Sequence, residues 1–425
     1  MRTLLLIAFC GMLHAQSLTP TEAVMAKAIE AEAEQAILLL EKVVNVNSGT
    51  FNPEGVKKVA KIFESEFKAL GFTTRYINLD SVKRAPHLVA ERTGTRGKNV
   101  LLIGHMDTVF EPSSPFQRFE RKGTTAVGPG VSDMKGGVIV MLSALKAMQK
   151  AGVLDGTNIT VFLTADEEAA GHPVEVSRKE FIEAGKKAAY ALCFETGSRR
   201  DDKDYASTAR RGSSSWRLKV SANSGHSGAI FSDRMGDGAI NELSRIINAF
   251  REDLREPNLT YSVGMVLGGA DAQIDPGGHG SVNGKSNIVP GEALAIGDIR
   301  ALYPDQLARV KDKMHSILSK NLKGTKAELT FSEGYPPMAP TPGNVAILNQ
   351  LNEGNRALGA PVMEALDPML RGAGDISFIA PYVDSLSGLG ANGIGGAHAP
   401  GEGVDLKGLP LQSKRAALLI FSLTK

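Results

Sequence analysis

Cysteine is scarce: two in 425 residues, and one of them, Cys10, lies in an apolar N-terminal run. Removal of that run leaves Cys193 alone, so no intramolecular disulfide can form. Nothing in the apolar segment around Cys193 would activate a thiol, so it reads as a small core residue and not as a nucleophile. An excess of charge of one sign is missing too. The formal net charge is +2, and no dense Lys/Arg block interleaved with aromatics is present to neutralise phosphates, which argues against nucleic acid as a partner. After the N-terminus no apolar stretch is long enough to span a bilayer, so no stable membrane insertion is expected. Several catalytic signatures are also lacking: there is no His-Glu-x-x-His helix, no Gly-x-Ser-x-Gly elbow and no Cys-x-x-Cys pair. Asn283-Gly-Lys-Ser286 resembles the end of a phosphate-binding loop, but His279 stands at the required first glycine. Gly388, Gly390 and Gly393 match Gly-x-Gly-x-x-Gly without a following helix. Both are chance matches in a chain with 46 glycines.

With 42% hydrophobic and 22% charged residues, the chain can bury a sizeable core and fill two domains. Met1 and Arg2 lead into the apolar run 3–13, and Ala15 offers a small residue for cleavage. Residues 1–15 therefore read as a signal peptide, and the mature protein is expected to be secreted or periplasmic. Residues 18–46 and 56–70 carry apolar side chains at helical spacing, with Thr19 and Thr21 as candidate caps and Gly71 as a stop. Short apolar runs at 99–103, 159–163 and 189–194 read as strands, with a helix over 134–151 between the first two. Strands alternating with helices predict a mostly parallel, buried sheet flanked by helices.

Near 207–215 the composition shifts to Ser, Arg and Gly. Strands at 216–220, 260–267, 293–302 and 327–331, with helices at 238–254 and 305–322, then give the order βαββαβ. That order predicts an inserted α+β, ferredoxin-like unit. From 336 the chain returns to the first domain, with a helix over 345–358 and a Gly-rich stretch at 388–403. The expected division is a signal peptide at 1–15, a catalytic domain at 16–209 and 335–425, and a lid and dimerisation domain at 210–334.

Polar clusters follow the three central strands: His105-Met-Asp107, Asp166-Glu-Glu168 and Glu195. The carboxyl ends of parallel strands form the ligand crevice of open α/β sheets, so three segments converge on one place. His105 and Asp107 are two apart and share a face of an extended segment, where the carboxylate can orient the imidazole; a polar strand end is the bland alternative. Asp133, in Gly128-Pro-Gly-Val-Ser-Asp-Met-Lys-Gly-Gly137, precedes a helix and fits either a bridging metal ligand or an N-cap. Glu167 and Glu168 are adjacent and point different ways, so one can bind metal while the other handles protons; a solvated acidic turn is the alternative. His398, in Gly395-Gly-Ala-His-Ala-Pro-Gly-Glu402, is the natural last ligand. His87, His172, His279 and His315 have no supporting context.

These motifs, taken in order along nearly the whole mature chain, resemble the M20 family of metallopeptidases, which includes bacterial glutamate carboxypeptidase, aminoacylases and succinyl-diaminopimelate desuccinylase. The resemblance implies a dizinc exopeptidase-like catalytic domain with the inserted lid. It implies two zincs per subunit bridged by Asp133, with His105 and Glu195 on one and Glu168 and His398 on the other. Glu167 would be the general base for a water bridging the zincs, Asp107 would serve catalysis beside His105, and the Asp133–Met134 peptide would be cis. His226, in Ser224-Gly-His-Ser-Gly228, would reach the active site of a partner subunit and stabilise the oxyanion, which calls for a homodimer. Asn287 and Arg300 would hold substrate, while Gly372-Ala-Gly-Asp375 partly matches the family's Gly-rich substrate loop. Glu at position 195 resembles the carboxypeptidase and deacylase branch. The implied activity is a secreted zinc hydrolase cleaving an amide next to a C-terminal amino acid, glutamate-carboxypeptidase-like. An N-acyl amino acid deacylase is the alternative, and a non-catalytic metal- or ligand-binding relative a further one.

Overall fold

A computed structural model of the chain describes residues 17–275 and 277–425. The signal peptide expected at 1–15 lies outside the described residues. The central sheet has six strands in the spatial order Thr73–Ile77, His87–Arg92, Thr157–Thr164, Arg96–His105, Tyr190–Cys193 and Ser385–Ser387. The last four are mutually parallel, and the first two join the sheet antiparallel. Successive side chains on a strand face opposite ways. Val100 and Leu102 accordingly enter a core shared with the helices Pro20–Ala31, Ala33–Val44, Pro53–Ala69, Lys135–Lys150 and Leu409–Leu423, while Leu101 and Ile103 pack on the other face against Phe181, Ile376 and Ile379. With both faces covered, the buried stretches of the central strands, such as Val100 to Ile103 and Val161 to Leu163, run apolar on successive residues.

The helical run expected over 18–46 is two helices, broken at Glu32. Thr19 caps the first through a capping box with Glu22, and Pro20 occupies its opening turn. Asn52 and Pro53 start the next helix in the same manner.

The inserted unit is a sheet of its own, in the order Thr260–Tyr261 and Met265–Gly269, Glu292–Arg300, Ser213–Ala222, Thr325–Tyr335, with every pairing antiparallel. Helices Ala239–Asp253 and Pro304–Leu318 supply one side of its core, in which the Trp216 ring meets Phe250 edge-on at 5.9 Å. The strand expected over 260–267 is split, yet Ser262 and Gly264 N–H still reach Asp298 and Ile296 carbonyls at 2.9 Å each. The interruption is a local bulge that keeps the ladder. The helix expected to reach 322 ends at Leu318. Among the described residues no helix is long and apolar enough to cross a membrane.

Candidate active site

Each central parallel strand ends in a residue of the site. The strand Arg96–His105 delivers His105, Thr157–Thr164 leads into Asp166 to Glu168, and Tyr190–Cys193 leads into Glu195. The helix Lys135–Lys150 begins behind Asp133, and Gly137 lets it press onto the strand end carrying Glu195. A Cβ on Gly137 would fall 1.8 Å from the Phe194 carbonyl oxygen. The Asp133–Met134 peptide is cis.

The structure brings His105, Asp133, Glu168, Glu195 and His398 together. His105 Nε2 lies 3.4 Å from Asp133 Oδ1 and 3.8 Å from Glu195 Oε1. His398 Nε2 lies 3.2 Å from Asp133 Oδ2 and 3.1 Å from Glu168 Oε2. Asp133 therefore presents one oxygen to each of two groups. Cation–ligand bonds of about 2.0–2.1 Å in tetrahedral array place ligand atoms ~3.3–3.4 Å apart, close to these separations. His105 Nε2 is buried and has no hydrogen-bond partner among the described residues, while its Nδ1 is held by the Asp107 carbonyl oxygen at 3.0 Å. An imidazole oriented on one nitrogen and left open on the other, facing carboxylates, suits a metal ligand. The mixed nitrogen and oxygen donor set fits zinc.

The electrostatics agree with this geometry. Burial would lower the pKa of His105, but the Asp107 and Asp133 carboxylates hold it well above its usual value. His398 is pushed up to about 11 by its hydrogen bonds to Asp133 and Glu168. Burial would raise Asp133, and the two histidines outweigh it and keep the carboxyl ionised. Glu168 is raised to about 7, first by burial. Glu167 is raised well above the carboxylate range by burial and then by Glu195. Several carboxylates in one buried pocket repel one another, and this field favours a cation. His398 itself takes a left-handed backbone, φ 64°. At a non-glycine residue that conformation costs about 1–3 kcal/mol and is typical of functional positions.

The strand stops at His105, two residues before Asp107. The Asp107 carboxylate stands 3.5 Å from His105 Nδ1 and is fully buried. It accepts hydrogen bonds from the Glu167 and Glu168 N–H groups, at 3.1 Å each, and from the Thr50 hydroxyl at 2.6 Å. Its side chain thus fixes the Glu167–Glu168 backbone, while its carbonyl oxygen and its carboxylate both face His105 Nδ1.

Other residues of the setting had no individual signal in the sequence. Glu402, 1% exposed, accepts from the N–H groups of Gly130, Ser132 and Asp133 and from the Ser132 hydroxyl at 2.8–3.0 Å, which shapes the Asp133 loop. Its presence in the same Gly-rich segment as His398 was the one available hint. Asp166 is not part of a solvated turn: it pairs with the buried Arg178 at 2.6 Å, and Arg178 also pairs with Asp375 at 2.8 Å. His87, without context in the sequence, accepts the Ala165 N–H on Nδ1 and meets the Ser177 carbonyl with Nε2. Tyr335, at the end of the last strand of the inserted unit, donates its hydroxyl to the Glu167 carbonyl oxygen.

Asp133, Glu167, Glu195 and His398 line a cavity of about 580 Å³, with Arg199, Arg200, Arg210 and Arg371 on its other walls. Within one chain the structure does not bring His226, Asn287 or Arg300 into that lining. His226 and Asn287 lie together on the inserted unit, where Gly225–His226 pairs with Ile288–Val289 and the Ser227 N–H donates to the Asn287 carbonyl. Both are exposed. Arg300 pairs with Asp298 at 2.8 Å, and its Nη1 is 3.9 Å from where a Cβ on the cavity residue Gly372 would stand.

The chain is similar to Carboxypeptidase G2 of Pseudomonas sp. strain RS-16, with 28% identity over 407 residues that cover 94% of this chain and 92% of that protein. It is also similar to succinyl-diaminopimelate desuccinylase of Nitrosococcus oceani, with 24% identity over 327 residues, 74% of this chain and 80% of that one. Among solved structures, a dinuclear metal-binding peptidase of the M20 family from Bacillus subtilis superposes with a TM-score of 0.63 at 15% identity, covering 93% of this chain and 99% of that chain. The family model for peptidase family M20/M25/M40 matches residues 101–421, a span that holds all five candidate ligands, and the chain belongs to that family of hydrolases.

Proposed function

We propose that the chain is a zinc-dependent hydrolase that cleaves the amide bond next to a C-terminal amino acid. The observation that carries this reading is the buried, partnerless Nε2 of His105, set among carboxylates that Asp133 links to Glu168 and His398. One zinc would be held by His105, Asp133 and Glu195, the other by Asp133, Glu168 and His398. Bound there, the cations would polarise the scissile carbonyl and make water more acidic. The Bacillus subtilis relative is dinuclear, which supports a count of two.

The remaining chemistry belongs to side chains. Glu167 takes a proton from the attacking water and returns it to the leaving amine; burial and the neighbouring Glu195 raise its pKa, which suits a group that must hold a proton between the two steps. Asp107 and Tyr335 hold the Glu167 backbone at N–H and carbonyl, which fixes the reach of its carboxylate. His226 of a second copy donates to the carbonyl oxygen as it gains charge. Arg300 pairs with the terminal carboxylate, and Asn287 beside His226 holds substrate.

Glu167→Gln should keep both metals and lose on the order of 10²- to 10⁴-fold in kcat; full hydrolysis by this variant would refute the assignment. Mixing inactive His226→Ala and Glu167→Gln chains should restore activity if His226 crosses between copies of a homodimer. Similarity to the desuccinylase favours a second reading, an N-acyl amino acid deacylase. Assays of peptides against simple N-acyl amino acids separate the two. Export is part of the same proposal, and N-terminal sequencing of the mature protein checks cleavage after Ala15.

A further inference from the structure

The inserted unit joins the rest of the chain through two connections, 209–212 and 336–338, that lie side by side. Arg210 and Met338 form an antiparallel bridge, each N–H donating to the other's carbonyl at 2.9 Å, and Ser213 faces Tyr335 at the near end of the inserted sheet. A Cβ on Gly212 would fall 2.8 Å from both the Tyr335 carbonyl oxygen and the Pro337 nitrogen, so the two connections touch. Apart from these connections, and among the described residues, the hydrogen bonds between the inserted unit and the rest of the chain all pass through one atom, the Tyr335 hydroxyl oxygen. It accepts from Arg178 Nη2 at 3.3 Å and donates to the Glu167 carbonyl oxygen. The other holds on this acidic loop come from the catalytic part: Arg178 on the Asp166 carbonyl, His87 on the Ala165 N–H, and Asp107 on the N–H groups of Glu167 and Glu168.

A local irregularity aims that hydroxyl. Ala327, Leu329 and Phe331 alternate toward the core that the inserted sheet shares with its two helices, and on a regular strand Tyr335 would follow them. The register with Ser213–Ala222 slips at this end: Ser214 faces Glu333, Ser213 faces Tyr335, and Gly334 is the extra residue between them. Such a bulge turns the side chains beyond it to the other face. A Cβ on Gly334 would fall 2.3 Å from the Ser213 carbonyl oxygen, so the bulge depends on glycine. Beyond it the Tyr335 ring packs on Phe378 with centroids 5.1 Å apart. Burial raises the phenol pKa well above its usual value, which keeps the hydroxyl a donor.

We propose that Tyr335 is a positioning residue that couples the placement of the inserted unit to the general base, so that Glu167 is held in its working position only while the unit brings the Tyr335 hydroxyl to the Glu167 carbonyl. This role rests on the hydrolase reading above and adds that the inserted unit acts on the base and not only on substrate. A rotation of the unit about its two connections carries Tyr335 with it, and the displacement is delivered to the one peptide whose side chain moves the proton. Misplacing a reacting group by about 1 Å can cost on the order of 100-fold in rate.

Tyr335→Phe removes the hydroxyl and keeps the ring on Phe378, whereas Gly334→Ala keeps the hydroxyl and disturbs its aim. Each should lower kcat on the order of 10- to 100-fold with KM changed less than about twofold, and the double variant should lose no more than the worse single one. Zinc content should equal that of the wild type, and a fall in kcat traced to lost zinc overturns the assignment. Hydrogen exchange read by mass spectrometry reports the coupling without turnover. Peptides covering 165–171 should exchange at least about tenfold faster in Tyr335→Phe, zinc-loaded or zinc-free, while peptides covering the strand 157–164 keep their protection. Unchanged exchange over 165–171 overturns the coupling even where amides are hydrolysed, as does a wild-type kcat in Tyr335→Phe or a loss that adds fully in the double variant. Faster exchange in Tyr335→Phe while the wild type cleaves no amide supports the coupling and defeats the hydrolase reading. Should Gly334→Ala fail to fold, Tyr335→Phe, which leaves the backbone chemistry untouched, decides by kcat and exchange alone.

Discussion

Replacing Glu402 tests whether a residue that touches no metal shapes the metal centre. Its Oε1 accepts from Ser132 N–H, Ser132 Oγ and Asp133 N–H, and its Oε2 accepts from Gly130 N–H. In Glu402→Gln the amide oxygen can keep the first three contacts, while the new NH₂ faces the Gly130 N–H. One charge-assisted bond is lost, a buried donor is left unmatched, and the remaining bonds lose their charge. Bonds to charged groups contribute ~1.5–3 kcal/mol, and an unsatisfied buried group costs ~1–3 kcal/mol. Burial raises the Glu402 pKa against the pull of these N–H groups, so the lower part of each range applies, and a loss of about 2–3 kcal/mol is expected. Glu402→Ala strands all three N–H groups and should lose more, ~3–6 kcal/mol. Because these N–H groups position Asp133, zinc affinity should fall about 10- to 100-fold in either variant. Urea unfolding of the zinc-free protein measures the first effect, and competition with a fluorescent chelator measures the second. A Glu402→Gln protein with wild-type unfolding and wild-type zinc affinity would refute the argument.

Arg178→Met leaves Asp166 and Asp375 buried without their shared cation and should destabilise the protein by about 3–5 kcal/mol in chemical denaturation. His87 is buried, and this holds its pKa below the ordinary 6.5. Protons therefore bind the unfolded chain first. The stability that neutral His87 contributes is complete above about pH 6.5 and is lost as pH falls through the folded value, at up to ~1.4 kcal/mol per pH unit. His87→Gln should flatten that slope in unfolding curves at pH 7.5 and 5.5, and an unchanged slope would place the acid sensitivity elsewhere. Chelation should lower the melting temperature by exposing the carboxylates of the site to mutual repulsion. Added zinc should raise it again in a concentration-dependent manner, as for any ligand of the folded state.

The core elements were legible because their signals are local. Val100 to Ile103 is an apolar run at a strand end, and its alternate side chains did go to opposite faces, since a strand has period two whatever surrounds it. The same holds for the order of elements in the inserted unit. The positions of His105, Asp133, Glu168, Glu195 and His398 were readable from motif order, and the parallel strands that carry three of them explain their convergence. The resemblance to one family supplied the pairing that spacing had left open.

What the sequence left undecided depended on distant contacts. The spacing linked Asp107 only to His105, and only the fold reveals that the Glu167 and Glu168 N–H groups also lie within reach of its carboxylate. Glu402 and Asp133 are 269 positions apart, and Arg178 and Asp375 are 197 apart. No periodicity links such pairs. His87 looked featureless because its meaning is a hydrogen bond to a neighbouring strand. Local sequence pattern determined which elements form and which residues carry chemistry. Tertiary structure decided which buried charges are matched, because that balance is set by groups brought together only when the chain folds.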